Sequence, residues 1–226
     1  MTIVVIPAYN EATTISQAIV AAQKYADRVL VVNDGSTDAT AQQAANTTAT
    51  LLTHIINRGL GGALQTGIKA ALQLGADIIV TFDADLQHDA HDIPRLITPI
   101  QQDKADAVLG SRFLDHATLS THHTAFHRRM GGIVANMLTW LLYGGWASDS
   151  QSGLRAFSRA AAEKLHLRSN RMEISSEIVG ELFKRQCRVQ EISIQPIYTP
   201  YALSKGQGLS VGFKTAWQLL VRHFMQ

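Results

Sequence analysis

Short apolar runs alternate with stretches of helical periodicity along the first half of the chain. The runs IVVIP, RVLVVNDG, ADIIVTFDAD and ADAVLGSR have the length of strands, and each is followed by a turn signal. The stretches between them carry alanine, leucine and glutamine at helical spacing. Continuous Val, Ile and Leu runs are typical of strands buried on both faces. The pattern therefore predicts an α/β fold with a mostly parallel sheet flanked by helices.

Beyond Ser120 this alternation gives way to a longer helical region. A strand-like SGLRAF follows, then a helix from about Glu173 to Arg185, a strand-like RVQEISIQPI and a final amphipathic helix. No linker composition, internal repeat or low-complexity segment separates the two parts. We therefore predict a single domain over residues 1–226, in which the second half completes the first.

Polar clusters follow the ends of the four strands predicted in the first half. In open α/β sheets, ligands bind beyond the carboxyl ends of the parallel strands. We therefore expect these clusters to converge on one edge of the sheet. They are Pro7–Glu11, Asn33–Asp38, Asp83–Asp89 and Gly110–Arg112.

The densest cluster is VTFDADLQHD, where an apolar strand runs into acids, an amide and a histidine. Carboxylates separated by one residue can turn toward the same ion just past the end of a strand. Asp83 and Asp85, with Gln87 as a neutral oxygen ligand, predict a site for Mg²⁺ or Mn²⁺ that bridges to substrate phosphates. Two acids this close repel each other unless a cation or hydrogen-bond donors offset their charge.

The same cluster admits plainer interpretations. Asp89 or Asp92 suits the N-cap of the following helix, and His88 and His91 are expected to be solvated side chains beside the site. The D-x-D spacing also occurs in phosphatases of the haloacid dehalogenase type, where it lies near the first strand. Here it lies past residue 80 and continues with leucine and glutamine, which disfavours that class.

The glycine-rich stretch NRGLGGALQTG matches neither a dinucleotide-binding fingerprint nor a P-loop. Its glycines nevertheless allow close backbone approach just before the N-terminus of a helix. We therefore expect an anion at the start of this helix.

Composition and charge restrict the class of protein. The chain has 226 residues, 46% of them hydrophobic and 17% charged, which is enough to bury a core. Its net charge of +2 gives no field of the kind that marks nucleic-acid-binding proteins. Cys187 is the single cysteine and no secretion signal is evident, so we predict a cytoplasmic protein. The uncharged stretch between Arg129 and Asp149 is interrupted by glycine pairs, which favours a core or interfacial helix over a membrane span.

Nine motifs occur along the chain in the order VIPAYNE, VVNDGSTD, NRGLGGALQTG, DADLQHD, GSRF, HRRMGGIVANMLT, DSQSGLRAF, SSE and YTPYALSKG. This ordered set resembles the family 2 glycosyltransferases, and most of all the dolichyl- and polyprenyl-phosphate sugar synthases. The resemblance covers nearly the whole chain. It implies a GT-A fold in which residues 1–115 bind a UDP- or GDP-sugar and residues 116–226 face the acceptor. It also implies transfer of a hexose with inversion, with polyprenyl or dolichyl phosphate as a candidate acceptor.

The resemblance also assigns roles to individual residues. Asp149 is the first candidate for a base facing the acceptor and Glu177 the second, although an ionised phosphate acceptor needs no strong base. Asp34 would receive hydrogen bonds from the base or the ribose of the nucleotide. The implied sets are Pro7, Ala8, Tyr9, Glu11, Asp34, Asp83 and Ala84 for the nucleotide, Asp83, Asp85 and Gln87 for the metal, and Arg112, Arg128 and Lys205 for the acceptor phosphate.

Several alternatives stay open on sequence alone. Gly132 stands where lipid-acceptor relatives often carry serine, and an arginine usual before the Ser–Lys pair is absent, so the acceptor is open. Glu177 also fits the polar stripe of an amphipathic surface helix. A sugar-nucleotide-binding subunit without catalysis is the alternative to an enzyme. The apolar stripe of the C-terminal tail suits packing on the body or on a second subunit, and also a membrane surface: Phe213, Trp217, Leu220 and Phe224.

Overall fold

A computed structural model describes residues 1–114 and 126–197. The strands in these ranges are β1 Thr2–Ala8, β2 Arg28–Asn33, β3 Thr50–Thr53, β4 Ile78–Thr81, β5 Ala107–Ser111, β6 Arg155–Ser158 and β7 Val189–Ser193. The helices are α1 Ile15–Gln23, α2 Thr40–Ala45, α3 Leu60–Gln73, α4 Ile93–Gln101, α5 Phe126–Tyr143, α6 Arg159–Lys164 and α7 Ile174–Lys184, and a 3₁₀ turn spans Ala90–Asp92.

These strands form one sheet in the order β3-β2-β1-β4-β6-β5-β7. Neighbouring strands run parallel except at β6, which is antiparallel to both β4 and β5. The predicted α/β class and mostly parallel sheet are confirmed. Apolar patterning gave no indication of the direction of β6, because a strand buried on both faces looks the same in either direction.

Two hydrophobic clusters cover the two faces of the sheet, and β1 contributes to both by strict alternation. Val4 and Ile6 pack with α1 and α4 on one face, while Ile3 and Val5 pack with α3 and α7 on the other. The helices predicted from periodicity therefore lie where the pattern requires. The short edge strand β3 was missed, because its four residues are only half-buried or exposed and carry no apolar run.

The uncharged stretch after Arg129 lies in α5, a helix of 18 residues. Within the described ranges, no helix is long and apolar enough to cross a membrane. Two polar residues interrupt the apolar sequence of α5, and both are buried: Asn136 is 5% exposed and Thr139 fully enclosed. Their contacts belong to the site described next.

Candidate functional site

The carboxyl ends of β1, β2, β4 and β5 lie at one edge of the sheet, as predicted. The N–H of Asp34 donates to the carbonyl of Ala8 at 2.8 Å, joining the ends of β2 and β1. The N–H of Phe82 donates to the carbonyl of Val5 at 3.0 Å, which aligns the end of β4 with the same edge. The polar clusters that follow these strands therefore meet in one place.

The segment after β1 bends sharply and is tied to the segment after β2. Asn10 has a φ of 54°, in the left-handed region that asparagine tolerates better than most residues. Its side-chain oxygen accepts the N–H of Thr37 at 2.9 Å, and the Thr40 hydroxyl accepts the N–H of Glu11 at 2.8 Å. Tyr9 is left 46% exposed beside this bend. The contacts of Pro7, Ala8, Tyr9 and Glu11 with a nucleoside stay predictions.

Asp34 is buried, and donors from the segment between β3 and α3 surround its carboxylate. Oδ1 accepts the N–H of Arg58 at 2.9 Å and lies 2.7 Å from Nδ1 of His54, while Oδ2 accepts the N–H of Gly59 at 2.7 Å. Gly59 is the N-cap of α3. The anion expected at this helix start is therefore a carboxylate of the chain itself. The implied contact of Asp34 with a base or ribose stays a prediction.

The glycines that open α3 pack against the loop at residues 168–170. A Cβ on Gly61 would lie 2.1 Å from the carbonyl oxygen of Ser169, and one on Gly59 would lie 2.4 Å from that of Asn170. Any side chain at these two positions would push the loop away. The close approach predicted from the glycines is therefore to protein backbone.

Glu177 on α7 supports the same loop. Its carboxylate oxygens accept the N–H groups of Arg168 at 2.9 Å and Ser169 at 2.7 Å. Glu177 is 7% exposed, so its interpretation as part of a surface stripe is wrong. The two backbone bonds explain why an acid tolerates this burial. Its role as a base stays a prediction that these contacts do not favour.

Asp83 follows the end of β4 and is held from two sides. Nε2 of His88 lies 3.0 Å from Oδ2 of Asp83. On the other side a Cβ at Gly153 would lie 2.2 Å from the same oxygen, so only glycine leaves room for the carboxylate. His88 is 6% exposed, and its predicted solvation is wrong because the loop folds it back onto Asp83. His91 is solvated as predicted, and Asp89 caps the 3₁₀ turn by accepting its N–H at 2.9 Å.

The two acids of the pair differ in ionisation. Burial raises the pKa of Asp83, but the hydrogen bond from His88 and the charges of His88, Arg155 and Arg112 outweigh it, so the pKa lies below its ordinary value. Burial and the charge of Asp83 raise the pKa of Asp85 to about 6. The two acids therefore repel each other. Neighbouring cations keep Asp83 ionised, whereas the pKa of Asp85 stays raised.

A divalent cation fits this pair. Leu86 adopts a φ of 61°, and this turn lets the N–H of Gln87 donate to Oδ1 of Asp85 at 3.0 Å. Hard oxygen donors with unbalanced negative charge are what Mg²⁺ and Mn²⁺ prefer. Within the described part of the chain, no three His, Cys, Asp or Glu side chains lie close enough together to hold a metal ion among themselves. A bound ion would therefore take further ligands from water and substrate phosphates, and the ligand role of Gln87 stays a prediction.

Arg112 follows β5 and pairs with Asp149. Its Nε and Nη2 donate to the two carboxylate oxygens at 2.6 and 2.9 Å, and its backbone N–H donates to Oδ2 at 3.1 Å. The Asp149 side chain is 1% exposed and that of Arg112 26%. Burial raises the pKa of Asp149, but the charge and hydrogen bonds of Arg112 outweigh it and the pKa is lowered. Asp149 is thus a weak base in this arrangement, and its predicted base role stays a prediction.

Sequence reasoning missed the buried cation of the site, Arg155, whose side chain is almost fully enclosed. Its Nη2 donates to the carbonyl oxygen of Ser150 at 2.9 Å. Burial lowers the pKa of Arg155 to about 10, against the opposing effect of the Asp83 and Asp149 charges. An arginine inside the otherwise apolar SGLRAF run was the signal, since a buried arginine requires acidic partners.

Two of the predicted phosphate-binding residues escape structural description. Arg128 lies in the first turn of α5, where only the backbone is described, and Lys205 lies outside the described residues, as does the apolar stripe of the C-terminal tail. Gly132, by contrast, faces Phe113: a Cβ there would lie 3.2 Å from the ring. A side chain at this position would require the Phe113 ring to shift slightly.

The fold is that of the GT-A class of glycosyltransferases. The chain superimposes with a TM-score of 0.75 on glucosyl-3-phosphoglycerate synthase from Mycobacterium tuberculosis, a structure solved with Mn²⁺, UDP and phosphoglyceric acid. The alignment covers 97% of this chain and 76% of that one at 20% sequence identity, so it shows the fold alone.

The family described as Glycosyl transferase family 2 matches residues 3–165, and the chain belongs to this family. It is 36% identical, over 96% of its length and 94% of the relative's, to UDP-N-acetylglucosamine–dolichyl-phosphate N-acetylglucosaminyltransferase of Methanococcus voltae. It is 40% identical to an uncharacterised protein of Methanocaldococcus jannaschii, over 97% and 90% of the two chains. Polyprenol monophosphomannose synthase of Mycolicibacterium smegmatis is 30% identical over 74% of this chain and 64% of its own. The resemblance inferred from the motifs is confirmed.

Proposed function

We propose that the chain transfers a hexose from a UDP- or GDP-sugar, with inversion and with Mg²⁺ or Mn²⁺, to an acceptor that carries a phosphate, such as polyprenyl phosphate. The observation that carries this proposal is the pair Asp83 and Asp85, two neighbouring acids at the end of β4 whose repulsion leaves negative charge unbalanced at this sheet edge. The names of two relatives support a nucleotide-sugar donor and a dolichyl- or polyprenyl-type acceptor.

The reaction would join an ionised phosphate oxygen of the acceptor to the anomeric carbon as the bond from that carbon to the diphosphate breaks. A divalent cation, when bound, supplies stabilisation of the charge on the departing nucleoside diphosphate. Asp83 and Asp85 would hold the cation, and Arg112 would orient a phosphate group. Because the attacking oxygen is already ionised, no residue has to remove a proton.

Transfer by the isolated protein tests this function. Purified chain is incubated with each of several UDP- and GDP-sugars, with Mn²⁺ or with EDTA, and with a short prenyl phosphate or the matching prenol. The proposal expects one donor to be consumed only with metal and only with the phosphate acceptor. Consumption with the prenol at the same rate contradicts the phosphate acceptor, and absence of transfer by folded protein favours a non-catalytic binding subunit.

We also propose that α5 rests on a lipid surface near the acceptor site. From Gly132 to Tyr143, where the side chains of α5 are described, every exposed residue is apolar, and the sequence has no acid between Phe126 and Ser148. A tryptophan on such a face is typical of side chains at a membrane interface. The exposed residues recur at helical spacing: Ile133, Val134, Met137, Trp140 and Leu141.

Sedimentation with vesicles tests this contact. Leu141→Glu places a charge at the most exposed position of the face, whereas Val20→Glu places one at an exposed apolar site on α1. We expect wild-type protein and the Val20 variant to sediment with vesicles containing anionic lipid, and the Leu141 variant to stay in solution. Equal sedimentation of both variants contradicts the assignment of the face.

A further inference from the structure

Asn136 of α5 bonds both chain neighbours of Asp149 in the turn that carries this acid. Nδ2 of Asn136 donates to the carbonyl oxygen of Ser148 at 2.6 Å, and its Oδ1 accepts the N–H and the hydroxyl of Ser150 at 2.9 and 2.8 Å. These bonds fix the backbone on both sides of Asp149. Asn136 is 5% exposed, so water does not compete for them. A buried amide in an apolar helix is costly unless it is fully bonded, and here both ends of the amide are used.

Asp149 in turn fixes Arg112. The carboxylate accepts two bonds from the guanidinium and a third from the Arg112 backbone, so the side chain is held at both its root and its tip. The pair occupies the Nε–Nη2 edge of the guanidinium. Bidentate pairing of this kind restricts the plane of the guanidinium as well as its position.

We propose that Asn136 and Asp149 are positioning residues that hold the Arg112 guanidinium in place for a substrate phosphate. In this arrangement Asp149 acts through Arg112 and takes no proton from the acceptor. The inference rests on the phosphate-binding role proposed for Arg112. It also links the Arg112–Asp149 pair to α5. The first turn of this helix carries Arg128, a predicted acceptor-phosphate residue, and Asn136 lies about two turns further along.

A double-mutant cycle separates positioning from base catalysis. Transfer is measured for wild type, Arg112→Gln, Asp149→Asn and the double variant. We expect Asp149→Asn to lower kcat/KM by roughly tenfold or more in wild type, and by less than about twofold when Arg112 is already glutamine. If Asp149 acted as a base, Asp149→Asn would lower kcat/KM by the same factor in both backgrounds, and that result would overturn the inference. The double variant removes both charges of the Arg112–Asp149 pair and leaves Asp83 beside the buried Arg155, which favours its folding.

Asn136→Ala tests the other link, with Ser176→Ala as the matched control. Ser176 is also fully buried, and its hydrogen bonds within the same polar cluster go to Thr139 and Gln151 rather than to Ser148 or Ser150. We expect Asn136→Ala to raise the KM of the acceptor by roughly tenfold and to leave kcat within about twofold, while Ser176→Ala changes neither. Asn136→Ser serves if the alanine variant does not fold. Unchanged KM in a folded Asn136 variant overturns the role of Asn136.

A measurement without turnover keeps this test independent of the proposed function. The Nε–H of Arg112, assigned by its absence in Arg112→Lys, is followed by NMR for its exchange with solvent. We expect exchange roughly tenfold faster or more in Asn136→Ala and in Asp149→Asn, and unchanged exchange in Ser176→Ala. Unchanged exchange in the first two variants contradicts the positioning network. Altered exchange in a protein that transfers no sugar supports the network and contradicts the function instead.

Discussion

Two carboxylate sites at the same edge of the sheet, at Asp149 and at Asp85, have opposite electrostatic environments. Asp149 meets the guanidinium of Arg112 at 2.6 and 2.9 Å, and its pKa is lowered despite burial. Asp85 faces another acid, and its pKa is raised to about 6. The first site is neutral within the protein, whereas in the proposed function the second binds a cation from outside.

In the sequence both acids look alike, as polar residues at the end of a strand or in a motif. The structure distinguishes them, because one acid has a partner within the fold and the other faces a second acid. An acid whose charge is matched by the fold stabilises the folded state. An acid whose charge is unmatched destabilises the fold until its ligand binds. Removing the charge of Asp149 should therefore lower the free energy of unfolding, whereas removing the charge of Asp85 should raise it.

The largest effect is expected on transfer by Asp85→Ala. Loss of a metal ligand removes charge stabilisation of several kcal/mol in the transition state, which corresponds to roughly a thousandfold in rate. Steady-state transfer with saturating donor and Mn²⁺ measures it, and Asp89→Asn on the same loop serves as control. Normal transfer by Asp85→Ala would show that the acid pair holds no catalytic metal.

Asp149→Asn should give the largest change in stability. It leaves the Arg112 guanidinium without its carboxylate, and breaking a buried ion pair costs about 3 kcal/mol. Urea unfolding at pH 7 measures the loss, and Arg112→Gln together with Asp149→Asn should recover much of it. A single variant as stable as wild type would mean that the pair does not hold the turn.

Asp85→Asn should change stability in the opposite direction when no metal is present. A folded pKa of about 6, above the unfolded value, means that this acid stabilises the fold at low pH and loses that contribution as pH rises through about 6. A gain on the order of 1 to 2 kcal/mol is expected at pH 8 after allowance for partial solvation. Urea unfolding in EDTA should show the curves converging near pH 4. A variant less stable than wild type at pH 8 would contradict the repulsion.

A smaller effect is expected at Gly153, where the fold makes room for the Asp83 carboxylate. Gly153→Ala places a methyl group 2.2 Å from Oδ2, so Asp83 has to move away from its position beside Asp85. We expect Mn²⁺ affinity, measured by calorimetry without donor, to fall about tenfold. Gly144→Asn, at a site with open space around it, should bind Mn²⁺ as wild type does.

The strands of the first half of the chain could be predicted from sequence because their signals are local. Buried Val and Ile runs placed β1, β2, β4 and β5, and the rule for strand ends placed their polar clusters on one edge. The acid pair followed from spacing alone. The short strand β3 and the direction of β6 depend on pairing with strands distant in sequence, so a local sequence pattern cannot predict them.

The contacts around Asp149 could not be predicted in the same way, because they join residues far apart in the chain. Arg112 and Asp149 are 37 positions apart, and Asn136 reaches Ser150 across 14. A polar residue inside an apolar helix was visible, but its partner was not. His88 was misjudged for a different reason: it lies only five positions from Asp83, but the folding of the loop decides whether its ring contacts that acid or the solvent.

Thermal unfolding of wild type and Asp85→Asn with UDP- and GDP-sugars, each with and without Mn²⁺, tests the central claim most directly. A ligand that binds only the folded state stabilises it by about 2.7 kcal/mol at a hundredfold excess over its dissociation constant. We predict that one nucleotide-sugar raises the unfolding temperature of wild type only with Mn²⁺, and that Asp85→Asn loses this shift. An equal shift in both proteins, or a shift that needs no metal, would contradict the account.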